Sequence, residues 1–318
     1  MHITRRDAVA GLLLAAALPS RLRAQEVHPL ALGRPHTDFI QSQLAPSRVL
    51  GASNSQPGVT GTPLSYDAKG TRAVTVVFRF PANWSMTRPH YVNSDQEFLV
   101  LDGELEINGE RYRAGDYAYL PAGFAHQSRS SAPGATLINF YEGEHLAFYE
   151  PTPAGMYKPE KLIRRLATSE MRWARAKDLA LTSLGSEVRQ KLLRDDPGTG
   201  ERTWLIQVAA DPMGRDEPRR PKIVHKAVEE SFLLSGEVAT PRGIMQSGAY
   251  VWRAPGQTRG PYGSRTGYQL LMRSKGGALA TTPSGAPESP AWQATYDPQI
   301  SSSMRSFAFA PLDSGKRY

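Results

Sequence analysis

The sequence predicts an all-β protein built from two tandem barrels joined by a short helical linker. Short runs rich in β-branched and aromatic residues, separated by Gly, Pro, Asn and Asp, fill residues 70–145 and return in residues 200–275. The second half also repeats the first at an offset of 133 residues without a gap, which indicates an internal duplication. The aligned pairs are Gly103 and Gly236, Gly115 and Gly248, Gly123 and Gly256, Glu97 and Glu230, and Glu104 and Glu237.

The first element in the chain is a predicted export signal. Arg5 and Arg6 precede an apolar run, residues 8–18, that is too short to span a bilayer as a helix. The Arg pair resembles a twin-arginine signal, and an ordinary secretory signal or an uncleaved anchor is the alternative. We expect cleavage near Ala24, a periplasmic or otherwise exported product, and no stable membrane span after the signal is removed.

The remaining segments follow from the strand and turn patterns. The stretch GSEVRQKLLRDD favours a short helix or a surface connection, and GGALATTPSGAPESP favours a flexible tail or an exposed loop. The predicted division is an export signal at 1–24, an N-terminal extension at 25–69, barrel 1 at 70–150, a linker at 151–199, barrel 2 at 200–275, and a C-terminal tail or strands at 276–318.

Composition excludes several classes of function. The 318 residues include no Cys, so thiol catalysis, thiolate metal sites and disulfides are excluded. The formal net charge is +8, but part of it lies in the predicted signal and the rest is scattered, so we expect no nucleic-acid partner. A nucleophile elbow, a phosphate loop and a His-Glu-x-x-His motif are all absent from the sequence.

Two motifs in the first half resemble those of the cupin superfamily. The second cupin motif, Gly-x5-Pro-x-Gly-x2-His, is matched by Gly115, Pro121, Gly123 and His126. The first cupin motif, His-x-His-x3-4-Glu-x6-Gly, corresponds to His90, Val92, Gln96 and Gly103. The stretch EFLVLDGEL further resembles the ChrR-like cupins, and the duplication resembles the bicupins, which have two RmlC-like jelly-roll (double-stranded β-helix) domains.

The resemblance implies a metal site inside each barrel. Alternate residues of a barrel strand face the interior, so the motif residues of a cupin place three imidazoles and one carboxylate around Mn, Fe, Ni, Cu or Zn. In barrel 1 the resemblance assigns His90, Gln96 and His126 as metal ligands, but Val92 and Gln96 replace a His and the Glu. These replacements lower the affinity for a divalent ion. The alternative is that the two histidines are hydrogen-bonded residues retained after metal loss.

The second copy departs from the motif at the complementary positions. His225 and Glu229 match Val92 and Gln96, whereas Ile223 and Arg259 replace the first and the last His. We expect an ion pair between Glu229 and Arg259 instead of a metal in barrel 2. The alternative is that Arg259 receives the carboxylate of a substrate.

These observations leave two main functions open. The first is a mononuclear-metal enzyme, a dioxygenase or next an isomerase or lyase, that acts on a small oxygen-bearing molecule in barrel 1. Tyr119 or Glu97 would move a proton, although Glu97 should point outward if Gln96 points inward. The second is a non-catalytic protein that binds or senses a small molecule, with barrel 2 as a scaffold. A homodimer is a further expectation.

Overall fold

The computed structural model describes residues 33–51, 56–214, 217–312 and 318, and it consists mainly of strands. The strands as far as the middle of the chain are β1 Thr37–Gln41, β2 Arg48–Val49, β3 Thr60–Tyr66, β4 Val74–Phe80, β5 Trp84–Met86, β6 Tyr91–Val92, β7 Gln96–Ile107, β8 Glu110–Arg113, β9 Asp116–Leu120, β10 Arg129–Ser131, β11 Ala135–Tyr141, β12 Ala147–Phe148 and β13 Ile163–Ala167. The later strands are β14 Ala174–Arg175, β15 Val188–Asp196, β16 Glu201–Val208, β17 Arg220–His225, β18 Val228–Thr240, β19 Gly243–Gln246, β20 Ala249–Arg253, β21 Thr258–Arg259, β22 Tyr268–Lys275 and β23 Thr281–Glu288. The helices are α1 Leu179–Thr182 and α2 Ser302–Ala308, with 3-10 turns at Ser42–Leu44, Pro159–Lys161 and Thr168–Glu170.

Two large antiparallel sheets have the same internal order. The sheet of barrel 1 runs β13-β9-β7-β11-β4-β3-β2, with β8 and β10 beside β7 and β5 beside β10. The sheet of barrel 2 runs β1-β20-β18-β22-β16-β15-β14, with β19 beside β18. Each position in one order has its counterpart in the other, so the all-β fold of two duplicated barrels is confirmed.

The aligned glycines lie where the central strand of each barrel changes partners. Strand β7 pairs with β9 and β11 as far as Gly103, and beyond it with β8 and β10. Gly103 has a φ of 75°, and a Cβ there would lie 2.1 Å from the carbonyl oxygen of Gly134. Gly236 has a φ of 81°, and its Cβ would lie 2.1 Å from the carbonyl oxygen of Gly267. Both positions therefore require glycine.

The two barrels exchange strands, so strands of each barrel also lie outside the predicted ranges 70–150 and 200–275. Strand β1 precedes barrel 1 in the chain but pairs with β20 in barrel 2, and β13 precedes barrel 2 but pairs with β9 in barrel 1. The predicted extension at 25–69 thus contains β2 and β3 of barrel 1, and the predicted linker at 151–199 contains β13, β14 and β15. These strands pair with distant segments, so a local pattern does not show their place.

One local prediction of secondary structure was wrong, and at a second place the structure has the strand that the sequence left as an alternative to a tail. The stretch GSEVRQKLLRDD forms β15 instead of a helix, because it is one arm of a hairpin with β16, and the only helix beside it is the four-residue α1. Within GGALATTPSGAPESP, residues Thr281–Glu288 form β23, which pairs with β17. In both cases the strand is formed by pairing that the sequence pattern does not reveal.

Apolar side chains form one core inside each barrel and a third between the barrels. Along β7, Phe98 and Val100 belong to the core of barrel 1, whereas Leu99 and Leu101 belong to the core between the barrels. This alternation follows from the two-residue period of a strand. Within the described residues, no helix is long and apolar enough to cross a membrane. The predicted export signal at 1–24 lies outside the described residues.

Candidate ligand-binding site in barrel 1

Two histidines, His90 and His126, lie directly opposite each other in an antiparallel bridge. The backbone NH of His90 donates to the carbonyl of His126 over 3.0 Å, and the NH of His126 donates to the carbonyl of His90 over 2.8 Å. Directly opposed residues of an antiparallel pair share one face, and the two imidazole centroids are 5.0 Å apart with ring planes 16° apart. Ile223 and Arg259 are paired in the same way in barrel 2. The structure thus brings the first and last motif residues together in both copies.

The imidazole of His90 has a defined tautomer. Its Nδ1 lies 3.0 Å from the carbonyl oxygen of Arg88, and because a carbonyl only accepts, Nδ1 carries the proton. Nε2 therefore holds a free lone pair, and it is buried without a hydrogen-bond partner among the described residues. Nδ1 of His126 is also buried and unpartnered there. Burial, followed by the charge of Arg129, lowers the pKa of His126 well below its usual value, and burial lowers the pKa of His90. Both rings are neutral at pH 7.

A chain of amides fixes the orientation of Gln96. The Nδ2 group of Asn139 donates to the carbonyl of Leu137 over 3.4 Å, so Oδ1 of Asn139 is free to accept. Nε2 of Gln96 donates to that Oδ1 over 2.9 Å. This leaves Oε1 of Gln96 buried and without a hydrogen-bond partner in the described part of the chain. Gln96 therefore presents an acceptor to the barrel interior.

Arg129 is a member of the site that the sequence reasoning missed. The residue is 1% exposed, and its Nε, Nη1 and Nη2 atoms have no hydrogen-bond partner among the described residues. Its guanidinium lies 5.7 Å from the ring centroid of Phe80 and 5.9 Å from that of Trp84, both in the core of barrel 1. Burial lowers the pKa of Arg129. Its strand partners, Met86 and Ile107, are distant in the sequence, so no local pattern indicates that the residue is buried. The sequence shows only a single Arg shortly after the second motif.

Glu97 lies outside the barrel interior. Its carboxylate accepts hydrogen bonds from the hydroxyl of Tyr117 over 2.6 Å and from that of Thr203 in barrel 2 over 2.5 Å. It also forms an ion pair of 2.9 Å with Arg273 of barrel 2. The alternation of β7 places Gln96 inward and Glu97 in the contact between the barrels. The structure does not bring Glu97 together with the two imidazoles.

Tyr119 also faces the contact between the barrels. Its hydroxyl donates to the carboxylate of Asp95, and the guanidinium of Arg194 lies 4.4 Å from its ring centroid. Burial, and after it Asp95, raises the pKa of Tyr119. The proton-transfer role predicted for Glu97 and Tyr119 therefore lacks a partner in the barrel interior.

Barrel 2 matches its cations with carboxylates. Glu229 forms ion pairs with Arg259 and with Arg253, the latter over 3.3 Å, so the ion pair expected from the sequence is present. Arg253 also pairs with Asp38 of β1, with 3.0 Å between Nε and Oδ1. Nε2 of His225 lies 4.0 Å from Glu229. Burial, Arg259 and Arg253 lower the pKa of His225 to about 2, so this ring is neutral.

Little space is left inside barrel 2. The cavity beside Glu229 and Arg253 has a volume of about 20 Å³ and is also lined by Tyr262 and Tyr268. A volume of this size holds about one water molecule. This cavity is therefore too small for an organic molecule.

The donor set of barrel 1 fits a resident divalent metal poorly. Among the described residues, no three His, Asp or Glu side chains are placed to hold a metal ion. Barrel 1 offers two imidazoles and one neutral amide oxygen, whereas metal sites with an open position usually have three protein ligands. A divalent ion would also share a buried interior with the unpaired cation of Arg129. Both charges would then lack an anion, which is costly in a low dielectric.

Comparison with known proteins identifies relatives of the fold. Residues 47–145 match the family of ChrR cupin-like domains. A proposed dioxygenase of Nostoc punctiforme has a TM-score of 0.67 and 16% identity, with 80% of this chain and 93% of that chain covered. The Ylba protein of E. coli has a TM-score of 0.52 and 12% identity, with 79% and 94% covered. Oxalate decarboxylase of Bacillus subtilis has a TM-score of 0.46 and 12% identity, with 77% and 78% covered. No curated protein matches the sequence.

Proposed function

Because the chain has the two-barrel fold of the cupin superfamily and residues 47–145 are a ChrR cupin-like domain, we propose that it binds a small organic molecule inside barrel 1 without a resident metal. The histidines and the amide of the altered metal motif would contact this molecule directly. Barrel 2, whose interior charges are already paired, would serve as the scaffold. Export to the periplasm is part of the proposal and comes from the sequence alone.

One observation carries this proposal. Nε2 of His90, Nδ1 of His126 and Oε1 of Gln96 are all buried and lack a hydrogen-bond partner in the described part of the chain. Each buried polar atom without a partner costs about 1–3 kcal/mol, so such atoms are normally completed by water or by a ligand. Their grouping on the inner wall of one barrel favours a single bound molecule.

A binding experiment with four probes tests the proposal. Glycolate, acetate, propane-1,2-diol and ethylamine would be titrated into EDTA-treated full-length protein, with binding followed by ligand-observed NMR. We expect at least one probe to bind the wild type and the Arg111→Met variant, whose side chain is 62% exposed, but not the His126→Leu variant. The proposal is refuted if no probe binds, or if binding is the same in His126→Leu.

A second titration distinguishes the proposed metal-free function from the metal-dependent oxygenase predicted from the sequence. Fe, Mn, Ni, Cu and Zn salts would be added one at a time, and bound metal would be measured after dialysis. Metal bound in a one-to-one ratio, lost in His126→Leu and required for probe binding, would favour the oxygenase over the proposed metal-free function. Probe binding that is unchanged by EDTA supports the proposed function.

A further inference from the structure

We infer that the molecule bound in barrel 1 is a small carboxylate that also carries a hydroxyl group, and that Arg129 binds its carboxylate. This inference rests on the proposed function, since it names the chemical class of the ligand of the same site. It depends on the charge balance of the two barrels and on which atoms of barrel 1 are donors and which are acceptors.

The charge balance differs between the duplicated barrels. In barrel 2 the cations Arg253 and Arg259 are matched by Asp38 and Glu229. In barrel 1 Arg129 forms no ion pair with a described residue, and the position that matches Glu229 is the neutral Gln96. A buried guanidinium is stable when an anion accompanies it. The anion missing from barrel 1 would come from the ligand.

The surroundings of Arg129 favour a carboxylate. A guanidinium presents a planar set of donors that matches the two oxygens of a carboxylate. The rings of Phe80 and Trp84 exclude water near this cation, which strengthens such a charge-assisted hydrogen bond. The residue is 1% exposed, so the ligand must be small enough to enter the barrel interior.

Two of the remaining unpartnered atoms require a neutral donor on the ligand. Nε2 of His90 holds a lone pair because Nδ1 carries the proton, and Oε1 of Gln96 is an amide oxygen, so both atoms can only accept. A hydroxyl group on the ligand can donate to them. An ammonium group could also donate, but it would place a second cation in the interior that already holds Arg129. A hydroxy acid therefore suits the site better than an amino acid.

The test compares the same probes across charge variants. We expect glycolate to bind the wild type more tightly than acetate, and propane-1,2-diol and ethylamine to bind least. Arg129→Met should raise the Kd for glycolate by about 100-fold, since two charge-assisted hydrogen bonds are lost. Arg111→Met removes the same charge from the surface and should leave this Kd within about twofold.

A second variant keeps the inference testable if Arg129→Met does not fold. Gln96→Glu adds a carboxylate to the inner wall, as Glu229 does in barrel 2, and should weaken glycolate binding by at least about tenfold through competition for Arg129. If the diol binds as tightly as glycolate, or glycolate binding is unchanged in both variants while His126→Leu abolishes it, the inference fails and the proposed function stands. If no probe binds the wild type, both fail.

Discussion

Arg273 joins the two barrels through buried carboxylates, and removing it should destabilise the whole protein. It forms ion pairs with Glu97 of barrel 1 over 2.9 Å, Glu230 of barrel 2 over 2.9 Å and Glu142 of barrel 1 over 2.6 Å. The side chains of Arg273, Glu97 and Glu230 are 2%, 1% and 0% exposed. These carboxylates raise the pKa of Arg273 well above its usual value against the effect of burial. The guanidinium therefore stays charged at any ordinary pH.

The cost of Arg273→Met follows from the charges left behind. Glu230 keeps an ion pair of 3.4 Å with Arg34, whereas Glu97 keeps the hydroxyl donors Tyr117 and Thr203 but no other ion pair within the described part of the chain. Removing one partner of a buried ion pair costs about 3–5 kcal/mol. We expect a loss of about 4 kcal/mol in the free energy of unfolding, mainly because of Glu97.

Urea denaturation at pH 7, followed by tryptophan fluorescence, measures this loss. The double variant Arg273→Met, Glu97→Gln should recover more than half of it, because Glu97 is then neutral while Glu230 keeps its ion pair with Arg34. Arg111→Met, which removes an exposed Arg, should cost less than about 0.5 kcal/mol. A loss of under about 1 kcal/mol for Arg273→Met, or no recovery in the double variant, would show that the ion network does not hold the barrels together.

Three further variants test single features. Burial, Arg259 and Arg253 lower the pKa of His225 from 6.5 to about 2 in the folded protein, so the neutral ring contributes fully to stability above about pH 6.5, and this contribution is lost as the pH falls. Between pH 7 and pH 5 the loss in the free energy of unfolding is about 2 kcal/mol. His225→Asn should remove this part of the pH dependence, as measured by urea titrations at both pH values. The same pH dependence in the variant and the wild type would contradict this. Gly103→Ala should lower the free energy of unfolding by at least about 2 kcal/mol more than Gly109→Ala. Both glycines have a positive φ, but only at Gly103 would the added Cβ collide with a backbone oxygen. Equal melting temperatures of the two variants would contradict this reasoning. Asp38→Asn should cost about 2–4 kcal/mol by leaving Arg253 with Glu229 alone, and thermal melts that match the wild type would contradict the role of β1 in barrel 2.

The sequence predicts the central strands well because their signals are local. The runs around Gly103 and Gly236 combine alternating apolar residues with a turn residue, and the 133-residue register aligns both glycines in the structure at a φ of 75° and 81°. The same register predicts that Gln96 faces inward and Glu97 outward, as the structure shows. The resemblance to the cupin motifs assigns His90 and His126 to one ligand set, and the structure places them opposite each other.

The outer strands and Arg129 depend on contacts that no local pattern contains. Strand β1 pairs with β20 more than 200 residues later in the chain, with Ile40 opposite Tyr250. Such pairing depends on how the two barrels pack, which the sequence of either segment does not reveal. Arg129 has the same limitation, because an Arg between two Ser residues is typical of an exposed strand. The structure buries it to 1% exposure beside the rings of Phe80 and Trp84, which β4 and β5 bring in.

The contact between the barrels preserves the symmetry that the interiors have lost. Glu230 accepts from the hydroxyls of Tyr250 over 2.7 Å and of Thr75 in barrel 1, as Glu97 accepts from Tyr117 and from Thr203 in barrel 2. Each barrel thus supplies a hydroxyl to the carboxylate of the other, so neither half can change its contact alone. The interiors are free of this constraint. One interior pairs its cations with carboxylates, whereas the other holds Arg129 without an ion pair to a described residue, and this difference is the ground on which ligand binding in barrel 1 is proposed.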